Sequence, residues 1–98
     1  MKKIWFVDID GVICTNTYGF YDKAVPKLNN IKKVNKLFDD GHTVVIWTAR
    51  GTLLKESKRT IMKLTKQQLK DWGVKYTKLK FGKPYYDYLW DDRSVNLG

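Results

Sequence analysis

Asp8 and Asp10 stand two positions apart at the end of the apolar run Ile4-Trp5-Phe6-Val7, and Gly11 follows them. In an extended segment residues i and i+2 point the same way, so a strand running into a glycine turn would present both carboxylates at one mouth. That pairing suits a metal-bound nucleophile beside a proton donor, and an Asp-rich turn after a buried strand is the plain alternative. A second apolar run, Thr43-Val44-Val45-Ile46-Trp47, ends on Thr48-Ala49-Arg50-Gly51. Its hydroxyl and the N–H groups of a glycine-permitted turn are suited to holding an oxyanion. Gly82-Lys83-Pro84 supplies a cation in a turn, and a short strand predicted at Tyr88-Leu89-Trp90 ends on a second carboxylate pair, Asp91-Asp92. Ligands of open α/β sheets sit at such carboxyl edges.

Carboxylate pair, hydroxyl, lysine and second carboxylate pair, in that order, resemble the haloacid dehalogenase superfamily of phosphotransferases. The matching positions are Asp8-Ile9-Asp10-Gly11, Ile46-Trp47-Thr48, Lys83 and Asp91-Asp92, and the resemblance runs over residues 3–96. More closely, Trp47-Thr48-Ala49-Arg50-Gly51, Lys70-Asp71-Trp72-Gly73-Val74-Lys75-Tyr76, Phe81-Gly82-Lys83-Pro84-Tyr85-Tyr86-Asp87 and Asp91-Asp92-Arg93-Ser94-Val95-Asn96 look like small bacterial and phage members linked to capsule and surface-sugar biosynthesis.

The resemblance implies a role for each position. Asp8 would be the nucleophile that forms an aspartyl-phosphate and also a Mg²⁺ ligand. Asp10 would protonate the leaving oxygen and later activate water, while its backbone carbonyl binds the metal. Thr48 and the N–H groups of Ala49 and Arg50 would hold the phosphoryl oxygens, and Lys83 would neutralise developing charge. Arg50, beside that cradle, could also grip substrate with its planar fork. Mg²⁺ prefers oxygen donors and typically takes one or two carboxylates with substrate phosphate and water. Asp8 and one of Asp91 and Asp92 meet that count, Asp92 being the expected direct ligand and Asp91 its neighbour or a partner of Lys83.

These residues require a scaffold, and the chain predicts one. Leu28, Ile31, Val34, Leu37 and Phe38 recur at helical spacing before Asp39-Asp40-Gly41, where glycine supplies a left-handed cap. A second helix is predicted over residues 58–72, with Ile61, Leu64, Leu69 and Trp72 near one face and Gly73 ending it. Residues 74–79 then return as a third strand. The order β-α-β-α-β-β predicts a Rossmann-like three-layer α/β sandwich with a mostly parallel central sheet. Members of the resembled superfamily that act on small metabolites often carry an inserted cap domain. Here the gaps after the first and second motifs are spent on loops, helices and one strand, so no cap domain is expected. The loop at residues 15–21, with Tyr18, Phe20 and Tyr21, is either a small flap over the site or packing against the first helix.

A chain of 98 residues is expected to form one domain, residues 1–98, burying roughly two-thirds of the surface its unfolded form exposes. The lone Cys14 has no internal disulfide partner, no Cys/His cluster has zinc spacing, and a small buried thiol is the expectation. A start of Met1-Lys2-Lys3 running into a short strand lacks the pattern of a signal peptide, and no run approaches transmembrane length. A cytoplasmic setting is expected. The formal net charge is +9, and residues 55–83 hold ten Lys or Arg against Glu56 and Asp71. Such a stripe attracts phosphorylated ligands and could track a nucleic-acid backbone, or it is a solvated helix face.

The expected activity is therefore Mg²⁺-dependent phosphomonoester hydrolysis through Asp8 on a phosphorylated sugar or similar small metabolite, the open site being covered by a homo-oligomer. A 3'-phosphatase of polynucleotide ends is the second enzymatic reading, since such capless phosphatases share an Asp-Asp-Arg ending. From another class, a phosphorelay receiver-like module would join similar residues, but with an acidic pair early and a separate phosphorylated Asp mid-chain, which is not this order. An intact set of catalytic residue types argues against a non-catalytic binding module.

Overall fold

The computed structural model describes residues 2–51 and 58–83. Strand β1 is Ile4–Val7, helix α1 Leu28–Asp39, strand β2 Thr43–Trp47, helix α2 Lys58–Asp71 and strand β3 Lys78–Lys80, with a 3-10 turn at Tyr21–Lys23 before α1. The last predicted strand, at residues 88–90, lies outside the described residues, as do Asp91 and Asp92.

The strands form a parallel sheet in the order β1-β2-β3. Register pairs Trp5 with Val44, Val7 with Ile46, and Ile46 with Leu79. Side chains alternate along a strand, so these five share one face, and all belong to or pack against one apolar core. Ile31 and Val34 of α1 and Leu69 of α2 enter that same core. Both helices therefore cover one face, as two right-handed crossovers in the same direction along a sheet require. The described residues thus supply the parallel sheet and one helical layer, and none of them builds a cap.

Both helices end on glycine. At the end of α1, His42 N–H reaches the Leu37 carbonyl (3.1 Å) and Gly41 N–H the Phe38 carbonyl (3.0 Å), with Gly41 at φ +89°. At the end of α2, Val74 N–H reaches Leu69 (3.0 Å) and Gly73 N–H reaches Lys70 (3.1 Å), with Gly73 at φ +69°. These paired bonds satisfy carbonyls that the helix leaves open, and they need a residue with positive φ. Val74 then packs with Leu69 in the core.

The third strand is shorter than expected. Residues 74–76 are taken up by the α2 cap and by Asn35, whose amide donates to the Gly73 carbonyl (2.9 Å) and whose oxygen accepts from Lys75 N–H (2.8 Å). Pairing begins at Thr77, which bonds Val44 through both its backbone N–H (2.8 Å) and its hydroxyl (3.0 Å). Leu28 and Phe38, expected in the α1 apolar face, are 65% and 37% exposed, leaving Ile31 and Val34 as the buried pair. Among the described residues no helix is long and apolar enough to cross a membrane.

Candidate active site

At the carboxyl end of β1 the chain curls tightly. The Ile9 carbonyl accepts N–H groups from Val12 (3.2 Å), Ile13 (2.9 Å) and Cys14 (3.2 Å), and the Ile9 side chain is buried in the core. Anchoring the middle residue inward leaves Asp8 and Asp10 on the other side of the backbone. Asp8 is half-buried at the sheet edge.

Lys83 is delivered to Asp8 by the end of β2. Thr48 N–H donates to the Lys80 carbonyl (3.0 Å), and Lys83 N–H donates to the Thr48 carbonyl (3.1 Å). These two bonds extend the β2–β3 ladder past the last strand residue and hold the Gly82 turn between them. The Lys83 ammonium then meets both Asp8 oxygens, at 2.6 and 2.5 Å. Nucleophile candidate and cation candidate are thus joined directly.

Thr48 itself is buried, and its hydroxyl accepts the Arg50 N–H at 3.1 Å. A hydroxyl retains its own proton to donate, so Thr48 can still bind an oxyanion. The Arg50 N–H, expected to do so, is already engaged. Ala49 is half-buried between them.

The Arg50 side chain also departs from expectation. Rather than reaching out to grip substrate, it turns into the protein and is fully buried. Its Nε and Nη2 donate to Asp10 (3.0 Å to Oδ2, 2.9 Å to Oδ1), and its Nη1 donates to Thr65 Oγ1 (3.1 Å) and Gln68 Oε1 (2.6 Å) of α2. The Tyr21 ring covers the guanidinium at 4.5 Å, and the Gln68 amide donates to the Tyr21 carbonyl (2.6 Å). The reason is charge: a buried guanidinium needs a full complement of acceptors, and Asp10 with α2 supplies them.

Thr65 and Gln68 were not among the expected functional residues, and Tyr21 was expected only in a flap over the site or packed against the first helix. The signal for the first two was present, since Thr65 and Gln68 interrupt an otherwise apolar face of α2 marked by Ile61 and Leu69, and all four are buried. Cys14 lies in the same cluster, 3.6 Å from both Asp10 Oδ1 and Arg50 Nη2. Burial, and after it the neighbouring Asp10 charge, push its thiol up to about 12, so it stays neutral. The small buried thiol read from the sequence is what the structure contains.

In the loop after β1, Tyr18 and Phe20 are 85% and 65% exposed, so these two do not pack against α1, while Tyr21 is committed to Arg50. Among the described residues no group of three or more His, Cys, Asp or Glu is placed to hold a metal ion. Oxygen donors suited to a hard cation remain in the Asp8 carboxylate and the Asp10 carbonyl.

Several solved structures are similar to this one, three of them as follows. A crystallographic target from Vibrio cholerae matches with TM-score 0.79 and 25% identity, over 95% of this chain and 82% of its own. The D,D-heptose 1,7-bisphosphate phosphatase of B. bronchiseptica, complexed with magnesium and phosphate, matches with TM-score 0.58 and 18% identity, over 82% of this chain. The Pnkp1/Rnl/Hen1 complex matches with TM-score 0.64 and 18% identity, over 93% of this chain. The chain spans 49% and 31% of the lengths of these last two. No protein-family model and no curated protein matches the sequence. These likenesses show the fold, a Rossmann-like α/β architecture with a parallel sheet, as the order of elements predicted.

Proposed function

We infer that the chain is a Mg²⁺-dependent phosphomonoesterase acting through Asp8, with a phosphorylated sugar or similar small metabolite as substrate. The observation that carries this reading is the Asp8–Lys83 contact at the carboxyl edge of a parallel sheet, with the Thr48 hydroxyl on the adjoining strand end. A carboxylate nucleophile, a cation and a neutral donor at one edge are the groups phosphoryl transfer uses. The likeness in fold to a heptose bisphosphate phosphatase crystallised with magnesium and phosphate supports the same reading.

In the first step an Asp8 oxygen bonds to phosphorus as the ester P–O bond breaks, and the Asp10 proton passes to the leaving alkoxide. In the second, water gives its proton to Asp10 and its oxygen to phosphorus as the Asp8–phosphorus bond breaks, releasing inorganic phosphate. Lys83 and Thr48 hold the non-bridging oxygens through both steps. Mg²⁺, when bound, would offset the charge of the phosphate oxygens and orient them. Asp8 and the Asp10 carbonyl would hold it, with Asp92 as direct ligand and Asp91 beside it by resemblance.

The test is a screen of the purified protein against sugar phosphates, nucleotides, phospho-amino acids and nucleic-acid ends with Mg²⁺. Asp8-dependent release of phosphate from one class is the expected result, and no release from any would reject the reading.

One observation favours a second substrate. The exposed side of α2 carries Lys58, Arg59, Lys63 and Lys66 around a 360 Å³ cavity with Met62. That face begins at the Gly51 turn, where a Cβ would meet Lys58 at 3.6 Å. A phosphodiester backbone whose terminal phosphate entered the Asp8 site could follow it. Steep loss of turnover on DNA or RNA ends with rising salt, absent on sugar phosphates, would select this reading.

A further inference from the structure

Burying a guanidinium is costly, and buried ion pairs are often replaceable by apolar residues without loss of stability. The Arg50 network is therefore poorly explained as a device for stability alone. Its geometry is specific to Asp10. Oδ1 of Asp10 accepts from Arg50 Nη2 (2.9 Å) and Nε (3.3 Å) and lies 3.6 Å from the Cys14 sulfur, whereas Oδ2 accepts only from Nε (3.0 Å) among the described residues. A carboxylate has about four acceptor sites, so Oδ1 is saturated and Oδ2 is not. On the far side, Thr65 and Gln68 fix the guanidinium to α2, and Tyr21 closes over its face.

We propose that Arg50 is a positioning residue for Asp10. It locks the carboxyl in one rotamer with Oδ1 turned inward, and leaves Oδ2 as the atom that gives its proton to the leaving oxygen and takes one back from water. The proposal rests on the reading of Asp8 as nucleophile and Asp10 as acid and base. It assigns Arg50 no contact with substrate. The anchor on α2 makes a helix remote from the strand ends part of the catalytic geometry.

Leaving-group dependence separates this role from a structural one. Departure of p-nitrophenol needs little proton donation and departure of phenol needs more, while the two esters are close in shape. Arg50→Met should lower kcat on phenyl phosphate about tenfold more than on p-nitrophenyl phosphate, within the ~10² to 10⁴ that general acid catalysis supplies. Arg50→Lys should recover part of the difference, because it restores a charged donor but not the fork. In an Asp10→Asn background Arg50→Met should add no further discrimination between the two esters.

The ratio of the two rates is independent of the folded fraction, so partial unfolding of a variant cannot mimic the effect. Thr65→Val with Gln68→Leu, which keeps Arg50 and Asp10 but removes the anchor, should shift the ratio in the same direction by less. Equal losses on both esters in all these variants, or a full additional loss beside Asp10→Asn, would overturn the positioning role alone. Absence of Asp8-dependent turnover in the unsubstituted protein would overturn the assigned reaction and this role with it.

Discussion

Lys83 follows Asp8 by 75 residues, yet its ammonium lies 2.6 and 2.5 Å from the two oxygens of that carboxylate. Neither residue reaches the other by local structure. Asp8 is where β1 leaves the sheet, Lys83 is where the chain turns after β3, and β2 lies between those strands. Backbone bonds from Thr48 to Lys80 and Lys83 carry the lysine across. A surface ion pair would contribute little to stability; at the mouth of a sheet the same contact would orient the carboxylate proposed as nucleophile.

Lys83→Met keeps the length of the side chain and removes its charge. Turnover should fall by about 10² to 10³, the loss typical of removing one donor to developing charge, while the melting temperature changes little. Steady-state kinetics with a thermal scan checks both. A variant with unchanged kcat would leave Lys83 as no more than a neighbour of Asp8.

Asp8→Asn and Asp10→Asn should fail differently. The first replaces the nucleophile by an amide of the same size and should abolish turnover in a folded protein. The second spares the nucleophile and removes the proton carrier, worth roughly 10² to 10⁴ in rate, so a phosphorylated Asp8 should accumulate. Mass spectrometry of acid-quenched protein would detect it. Residual Mg²⁺-dependent turnover in folded Asp8→Asn protein would sink the assignment of the nucleophile.

How far this site was legible in the sequence differs from group to group, for physical reasons. Continuous apolar runs announced β1 and β2, and helical spacing with terminal glycines announced both helices, because burial and positive φ leave few choices of residue. Asp8, Thr48 and Lys83 could be placed at one edge because strand ends in a parallel sheet converge there. Arg50 could not, since a short sequence does not say whether a long side chain turns inward or outward. Its direction is set by Asp10, by Thr65 and Gln68 on α2, and by the Tyr21 ring. Only the interruption of an apolar helix face by two polar residues hinted at it. The length of β3 was likewise decided by a tertiary contact, that of Asn35 with the turn after α2.

Activity should vanish with chelator and return with Mg²⁺. Ca²⁺ takes about six to eight oxygen ligands in flexible geometry, where Mg²⁺ demands an octahedron, and should draw both Asp8 oxygens into coordination, blocking its attack. Full turnover with Ca²⁺ would contradict a metal bound at Asp8. Asp92→Ala should raise the Mg²⁺ requirement more than Asp91→Ala, as metal titrations of the two variants would measure, and the reverse ranking would exchange their roles.

Cys14 should resist alkylation in the native protein. Its thiol is raised from 9.0 to about 12 by burial first and by Asp10 second, and only the thiolate reacts. At pH 9 the native thiolate fraction would be roughly several hundredfold below that of the unfolded chain. The sign for stability follows: a raised folded value contributes stability that is complete below 9.0 and disappears as the pH rises towards 12. Iodoacetamide labelling with and without denaturant measures the difference. Rapid native labelling would show that the thiol is not held as the structure has it.

Self-association is expected to cover the site. An aspartyl-phosphate and its metal act best where water is restricted, and none of the described residues forms a cap over the sheet edge. The loop after β1 holds Tyr18 and Phe20 at 85% and 65% exposure, and the 3-10 turn that follows it seats Tyr21 on Arg50. Exposed aromatics on a loop tied to the Arg50 cluster are suited to anchor an interface. Equilibrium sedimentation across concentrations should show an oligomer, and Tyr18→Ser with Phe20→Ser should shift it towards monomer with a parallel loss of turnover. A strict monomer with full activity on small phosphates would mean that the site works uncovered, and would favour a bulky substrate that closes the site itself.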